Sequence, residues 1–320
     1  MASSDSNSNE RHASLYFPDG DIVLFARLKA ADSGHTIFRV HRFMLSHHSV
    51  VFKDMFSLPP ETTVETYDNA PLVHMRDAAE DLESLLSVLY NPAELLLKRH
   101  DSETPTKCRG LLELSIKYQI DPIRECIVAQ IEDDWPMTLA QWDSMNSYVD
   151  LLIDQRDGGE DHFLEPAAAI QVAKACNIPR ILPAAYYHLS RFYPSEEHFE
   201  DRGIFRLAKW ELLVADDLMR LMKARDHLEG TMRWQPWRIP SPNCASSTIC
   251  SKRATELWTE IRYQSQASRD PLDVLRDFLK ENLNRSPFNE ICDECSDLIE
   301  VRSKKLRETI WNDLGDTFYL

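Results

Sequence analysis

Glycine is scarce, at 8 residues in 320. None falls in a GxGxxG or GxxxxGK[ST] pattern, so the familiar backbone cradles for phosphate are missing. Long apolar runs are lacking too, since no stretch approaches the roughly 20 residues that cross a bilayer. The opening MASSDSNSNERHAS has neither the basic start nor the apolar core of a secretory signal, and reads as a short disordered tail over residues 1–14. Basic residues are in deficit, 36 against 52 acidic ones, for a net charge of −16. That balance disfavours nonspecific nucleic-acid binding, which works by neutralising phosphates, and docking on anionic membranes. Cysteine is present, but as 7 irregularly spaced residues. An odd count without export features predicts reduced thiols in the cytoplasm or nucleus.

What is there is a globular pattern, with 43% hydrophobic residues, enough to bury a core. DIVLFARL (Asp21–Leu28) and TIFRV (Thr36–Val40) read as strands joined by a turn through Asp32, Ser33 and Gly34. From Arg42 the period changes to three and four. Met44, Leu45, Val51, Phe52, Met55 and Phe56 then share one helical face until Pro59-Pro60. PLVHM (Pro71–Met75) is a further strand. Asp77 with Glu80 has the look of a helix-start capping pair, before an apolar stripe of Leu82, Leu85, Leu86, Leu89 and Tyr90. Residues 98–109 read as a loop, followed by helices over Leu111–Ile120 and Ile123–Ile131.

LSIKYQIDPI (Leu114–Ile123) aligns with VAKACNIPRI (Val172–Ile181) at an offset of 58 residues. Each copy reads as two helices around a tight turn, later stopped by Trp135-Pro136 or Tyr193-Pro194. Helical pattern resumes over 203–233. QPWRIPSPNCASSTIC (Gln235–Cys250) breaks it and is the best candidate boundary. Asp270-Pro271 predicts an N-cap with proline at the first helical position. A last helix is expected over Asp297–Leu314.

The stretch FRVHRFMLSHHSVVFKDMF (Phe38–Phe56) holds His41, His47 and His48. A two-histidine metal face on a helix needs spacing i, i+4, and four residues after His41 stands Leu45. His41 and His48 lie two turns apart, roughly 10 Å at helical rise, too far to share one zinc. The histidines therefore read as structural.

The same stretch, behind two strands and a turn, resembles the BTB/POZ domain pattern. Its histidine, leucine, serine and phenylalanine positions are His41, Leu45, Ser49, Phe52 and Met55-Phe56. PLVHMRDAAEDLESLLSVLYNP and LLELSIKYQIDPIRECI are similar to the family's later strand, helix and closing helix pair, so the likeness covers about residues 15–135. It implies an α+β domain used for association, as a homodimer or BTB heterodimer. It also implies an interface pocket formed by Asp21 and Arg42 beside His41. An intradomain salt bridge or two solvated side chains are the alternatives for that pair. Some relatives recruit cullin scaffolds through an apolar-x-Glu segment. In SLPPETTVETYDNA (Ser57–Ala70), Glu61 and Glu65 follow Pro59 and Thr63 instead, a departure from that pattern. AAIQVAKACNIPRILPAAYYHLSRFYP and WTEIRYQSQASRDPLDVL resemble the long helical extension of BTB proteins from basidiomycete fungi.

Cys292-x2-Cys295 has the spacing of half a structural zinc site, and Cys244-x5-Cys250 is wider than the usual half. Two readings stay open: a four-thiolate zinc site, or reduced thiols that merely pack. Cys108, Cys126 and Cys176 lie apart and read as packing residues. No GxSxG or HExxH appears, and the adjacent acids Glu132-Asp133-Asp134 and Asp216-Asp217 read as solvated helix ends. Trp234-Gln235-Pro236-Trp237 reads as a loop anchored by aromatics.

The expectation is an α+β BTB/POZ-like domain at 15–136 followed by a mostly α-helical extension at 137–235 and a helical module with the cysteine cluster at 236–320. The expected function is non-enzymatic scaffolding or adaptor work through protein partners, with no nucleic acid and no membrane. The alternatives are a substrate adaptor of a cullin-type ubiquitin ligase, or an enzyme whose site is assembled from distant residues.

Overall fold

A computed structural model describes residues 9–29, 34–59, 65–95, 99–154, 164–192, 194, 208–234, 239–281 and 290–320. The chain divides into two compact units, Met1–Asp134 and Trp135–Leu320.

The first unit is built on five strands: β1 (Asn9–Tyr16), β2 (Ile22–Arg27), β3 (His35–Val40), β4 (Thr66–Tyr67) and β5 (Ala70–Ala78). They lie in the order β1-β3-β2-β5-β4. β2 and β3 form the expected antiparallel hairpin, with Ile22 opposite Val40 and Arg27 opposite His35. Its turn residues Asp32 and Ser33 lie outside the described residues. β5 runs parallel to β2 and β1 parallel to β3. The tail expected over 1–14 is corrected here, because its residues from Asn9 onward belong to β1. Most of NERHASLY lacks strand composition, with Tyr16 alone a strand-favouring residue. Its main chain pairs with the free edge of β3, while the His12 ring stacks on Phe38 at 5.1 Å and Leu15 is buried.

Successive strand side chains alternate between faces. Val23, Ile37 and Ala70 form one small cluster with Tyr16, Phe25, Tyr67 and Leu72. Ile22, Leu24 and Ala26 take the opposite face, and both sets are buried, which explains why β2 reads as a continuous apolar run. The helices are α1 (Arg42–His48), α2 (Val50–Ser57), α3 (Ala79–Tyr90), α4 (Thr104–Lys117) and α5 (Asp121–Asp134).

Three sequence expectations change. The helical segment from Arg42 is two helices, because Ser49 adopts extended backbone (φ −133°, ψ 121°) and its hydroxyl caps α2. The loop expected up to residue 109 is helical from Thr104, with Pro105 in the first turn, where a missing N–H costs nothing. Asp77 and Glu80 do not cap α3. Asp77 lies in β5 and binds Lys117 Nζ and the Tyr118 hydroxyl, both at 2.5 Å, while Glu80 accepts the Lys29 main-chain N–H.

The second unit contains α6 (Leu139–Asp154), α7 (Pro166–Cys176), α8 (Leu182–Ser190), α9 (Ala215–Trp234), α10 (Ser247–Ser268), α11 (Pro271–Glu281), α12 (Asp293–Asn312) and α13 (Leu314–Thr317). The 58-residue likeness is a repeated turn. Gln119 and Asn177 are both left-handed (φ 53° and 56°). The N–H groups of Ile120 and Ile178 close the turns on the carbonyls of Ser115 and Ala173, both at 2.8 Å, as in a Schellman motif.

The boundary expected near 235–250 does not divide this unit. Arg191 pairs with Asp270 at 2.7 Å, and the Tyr187 hydroxyl donates to Asp270 at 2.8 Å. Arg307 pairs with Asp143 at 2.5 Å and donates to the Leu272 carbonyl at 2.9 Å. These buried and half-buried bonds join residues on either side of the proline-rich loop. Asp270 also accepts the Asp273 N–H at 3.1 Å, the cap expected for α11. Residues 203–207, 235–238 and 282–289 lie outside the described residues, as do the side chains of Trp234 and Trp237. Among the described residues no helix is long and apolar enough to cross a membrane.

Candidate metal centre and interaction face

Leu45 and Phe52 are fully buried, and Met55 and Phe56 half-buried. The break between α1 and α2 is what permits this, since each short helix turns its own apolar residue inward. Ser49 holds the break. Its hydroxyl accepts the Phe52 N–H at 3.1 Å and donates to the Tyr118 carbonyl at 2.6 Å. The Phe52 ring stacks on Tyr118 with centroids 4.2 Å apart. Burial, then the Asp77 carboxylate, pushes the Tyr118 phenol well above its ordinary range, so it acts as a neutral donor.

His41 stands at the N-terminus of α1. Its N–H donates to the Tyr90 hydroxyl at 2.9 Å, and Nδ1 shares a proton with the same oxygen at 2.8 Å. Its Nε2 lies 3.4 Å from Asp19. His47 and His48 are exposed and meet edge to face, so the three rings do not converge. Tyr90, which the sequence reading placed only in an apolar stripe, thus ties the end of α3 to the start of α1.

Asp21 and Arg42 are adjacent, but not as a pair of opposed side chains. The Asp21 carboxylate accepts the Arg42 main-chain N–H at 2.7 Å, the favourable place for a negative charge at a helix N-terminus. The Arg42 guanidinium lies over the Phe56 ring at 5.6 Å. Three large apolar side chains are exposed on or beside these helices, Phe43 at 72%, Val50 at 57% and Leu58 at 69%, among the exposed polar residues His47, His48, Lys53 and Asp54. In the cullin-type segment, Glu61 lies outside the described residues, and Glu65 is exposed and bound to His74 at 3.0 Å.

In the second unit the four cysteines of the C-terminal cluster converge, with the ligand sulfurs of Cys244, Cys250, Cys292 and Cys295 all within 4.8 Å of one another. Cys244 sits in a turn closed by its N–H on Ser241 O, and Cys250 in the first turn of α10. Cys292 stands at the N-cap position of α12, and Cys295 lies in that helix's first turn. Two helix N-termini are therefore aimed at one cluster of sulfurs, an arrangement that favours thiolates. Main-chain donors add to it: Ser241 N–H to Cys295 Sγ at 3.3 Å, and Cys292 N–H to Cys250 Sγ at 3.4 Å. Donation from the Cys295 and Ala245 N–H groups lowers the Cys292 thiol to about 7, while burial raises Cys295 to about 12. All seven cysteines are free thiols.

The spacing fits a metal. Bonds of about 2.3 Å from zinc to sulfur in a tetrahedron place the sulfurs about 3.8 Å apart. Cys292 and Cys244 Sγ are 3.7 Å apart. Cys250 and Cys295 are fully buried, and the other two are half-buried, so the cluster has an inner and an outer side. The wide x5 spacing of the first half is absorbed by the turn before α10. Cys108 and Cys176 are buried as expected of packing residues, whereas Cys126 is exposed.

Two acids read as solvated are not. Asp134 is buried, accepts the His100 N–H at 3.2 Å, and is raised above the usual carboxylate range by that burial. Asp217 is buried against Lys174 and Tyr186, both at 2.5 Å. Adjacent acids on a helix point in different directions, and one of each set turns inward.

No curated protein compared with this chain matches it. Residues 26–133 match the BTB/POZ domain family. The amino-terminal unit accordingly carries a BTB/POZ domain, a type of protein–protein interaction module, followed by a mostly helical carboxy-terminal region.

Proposed function

We propose that the protein is a non-enzymatic association factor, joining a second BTB domain, in the first instance its own copy, through the surface around α1 and α2. The observation that carries this is the placing of exposed apolar side chains. Among the described residues of the first unit, Phe43, Val50 and Leu58 fall on or beside α1 and α2, and Ile116 alone stands elsewhere. Exposed apolar surface of this kind marks contact sites. Asp21 and Arg42 flank it and would fix register. On the same reading, the second unit serves as scaffold or partner surface. Its carboxy-terminal helices are clipped by zinc on Cys244, Cys250, Cys292 and Cys295.

Light scattering after size exclusion tests the first part on the full chain. Wild type is expected to run as a dimer, and Phe43→Asp with Val50→Asp as a folded monomer. A wild-type chain that is strictly monomeric at high concentration refutes self-association. Metal analysis tests the second part: stoichiometric zinc in reductant-treated wild type, lost in Cys292→Ser. Metal-free protein with an unchanged melting curve after chelation refutes the clip.

A further inference from the structure

The chain is acidic, yet arginine gathers at one place in the second unit. A cavity of about 360 Å³ between α9 and α10 is lined by Arg225, Arg233, Arg262 and Arg269 with two carboxylates, Asp226 and Glu229. Buried Leu228 and Met232 form an apolar floor. The lining therefore carries four positive and two negative charges, a net of +2, in a chain whose total is −16.

The guanidinium groups are positioned by the fold. Arg225 donates to the carbonyls of Ser190 at 3.1 Å and Phe192 at 2.6 Å, and Arg269 to Phe192 at 3.4 Å. Arg269 holds left-handed backbone, φ 55°, at the end of α10, where glycine is the unstrained choice. Glu229 is engaged by Arg233 at 2.8 Å and by Gln266 at 3.0 Å, which ties the two walls together. Arg262 is half-buried and makes no hydrogen bond or ion pair among the described residues.

We infer that this cavity binds a phosphomonoester. Guanidinium forks match phosphate oxygens two at a time, and a dianion balances the lining charge where a single carboxylate does not. The volume exceeds that of a bare phosphate and lies near the lower end, about 300 Å³, of ordinary ligand pockets. The apolar floor suits a small organic body attached to the phosphoryl group. That body is either a free phosphorylated metabolite or the side chain of a phosphorylated protein segment. The inference is independent of zinc and of self-association.

The test is calorimetric titration of the full chain with free phosphoserine, a phosphoserine peptide, inorganic phosphate and acetate. Saturable binding of phosphoserine is expected, weaker with added salt. Arg262→Gln should weaken it about tenfold or more, as loss of a charge-assisted bond implies. Arg262→Lys should recover part of the loss. Arg262 makes no hydrogen bond or ion pair among the described residues, so its variants are expected to fold, and Arg233→Gln supplies a second site variant. A peptide about tenfold tighter than the free amino acid supports a protein source, and equal affinity a small-molecule source. Absence of saturable binding, equal binding of acetate, or affinity unchanged in both Arg262→Gln and Arg233→Gln overturns the proposal.

Discussion

Replacing Ser49 by alanine removes one oxygen that does two jobs. As the cap of α2 it accepts the Phe52 N–H at 3.1 Å, and loss of such a cap costs about 1 kcal/mol. As a donor it satisfies the Tyr118 carbonyl at 2.6 Å, and leaving a buried acceptor unpaired costs about 1–3 kcal/mol. Ser49 is 1% exposed, so water has little access to replace either bond. The two losses together amount to about 2–4 kcal/mol, a large share of the roughly 5–15 kcal/mol that holds a domain. The assay exploits the placing of tryptophan. All seven lie between residues 135 and 320, so indole fluorescence reports the second unit, while far-UV circular dichroism reports both. In urea, Ser49→Ala should bring forward the dichroism transition by about 1–2 M, given slopes of about 1–3 kcal/mol per molar. The fluorescence transition should stay in place. Ser46→Ala is the control and should change little, since Ser46 is half-buried on α1 and its side chain makes no hydrogen bond among the described residues. A Ser49→Ala transition indistinguishable from the control would refute the reasoning, because the buried hydroxyl would then carry no net stability.

Other predictions concern packing and pH. A Cβ on Gly110 would stand 1.7 Å from Asp81 Oδ1 and 3.1 Å from its Cβ, so Gly110→Ala must displace Asp81 from Lys29 and push α4 off α3. A loss of about 1–3 kcal/mol in the first unit is expected, read by the same dichroism transition. Asp217 and Asp273 should act with opposite sign in the fluorescence transition. Burial opposes the Asp217 charge, but donation from Lys174, Tyr186 and the Val214 N–H outweighs it and holds its pKa below the ordinary value. Its contribution is present above the ordinary carboxylate range and lost as pH falls through the lowered value, so Asp217→Asn destabilises at pH 7 and flattens the acid limb. Asp273 is raised to about 6 by burial and then by the Asp270 charge. Its contribution is present below the ordinary range and lost as pH rises to about 6, so Asp273→Asn flattens the profile between about pH 4 and 6. Melting temperatures recorded from pH 3 to 8 check both; parallel profiles for wild type and either variant would contradict the assignment.

Much of the first unit, and one cap of the second, was legible from local pattern. The hairpin and the buried Leu45 and Phe52 of the first unit, and the cap at Asp270 in the second, each follow from periodicity or from one residue's backbone preference. Errors came where a polar residue had two partners to choose from. Asp77 and Glu80 have the spacing of a cap, but Lys117, Tyr118 and Lys29, distant in sequence, offered stronger bonds. Ser49 stood out only as a position of the family pattern, and its role depends on a carbonyl 69 residues away. The four metal-type cysteines were visible as two halves, one of unusual spacing. Their convergence is a matter of how α10 and α12 begin side by side. The arginine cavity left no signal, because its arginines are spread from 225 to 269 over α9, α10 and the residue that ends α10.

By itself the chain determined its elements and the class of its first unit, since hydrophobic period, turn residues and proline stops act over a few positions and need no distant partner. Tertiary structure alone decided that Asn9–Tyr16 is a strand and that the two helical stretches flanking the proline-rich loop are one unit. It also decided which acids are buried and that sulfur and guanidinium groups meet. Those outcomes rest on pairing between remote segments, where the energy depends on distance in space, a quantity that spacing along a chain does not contain.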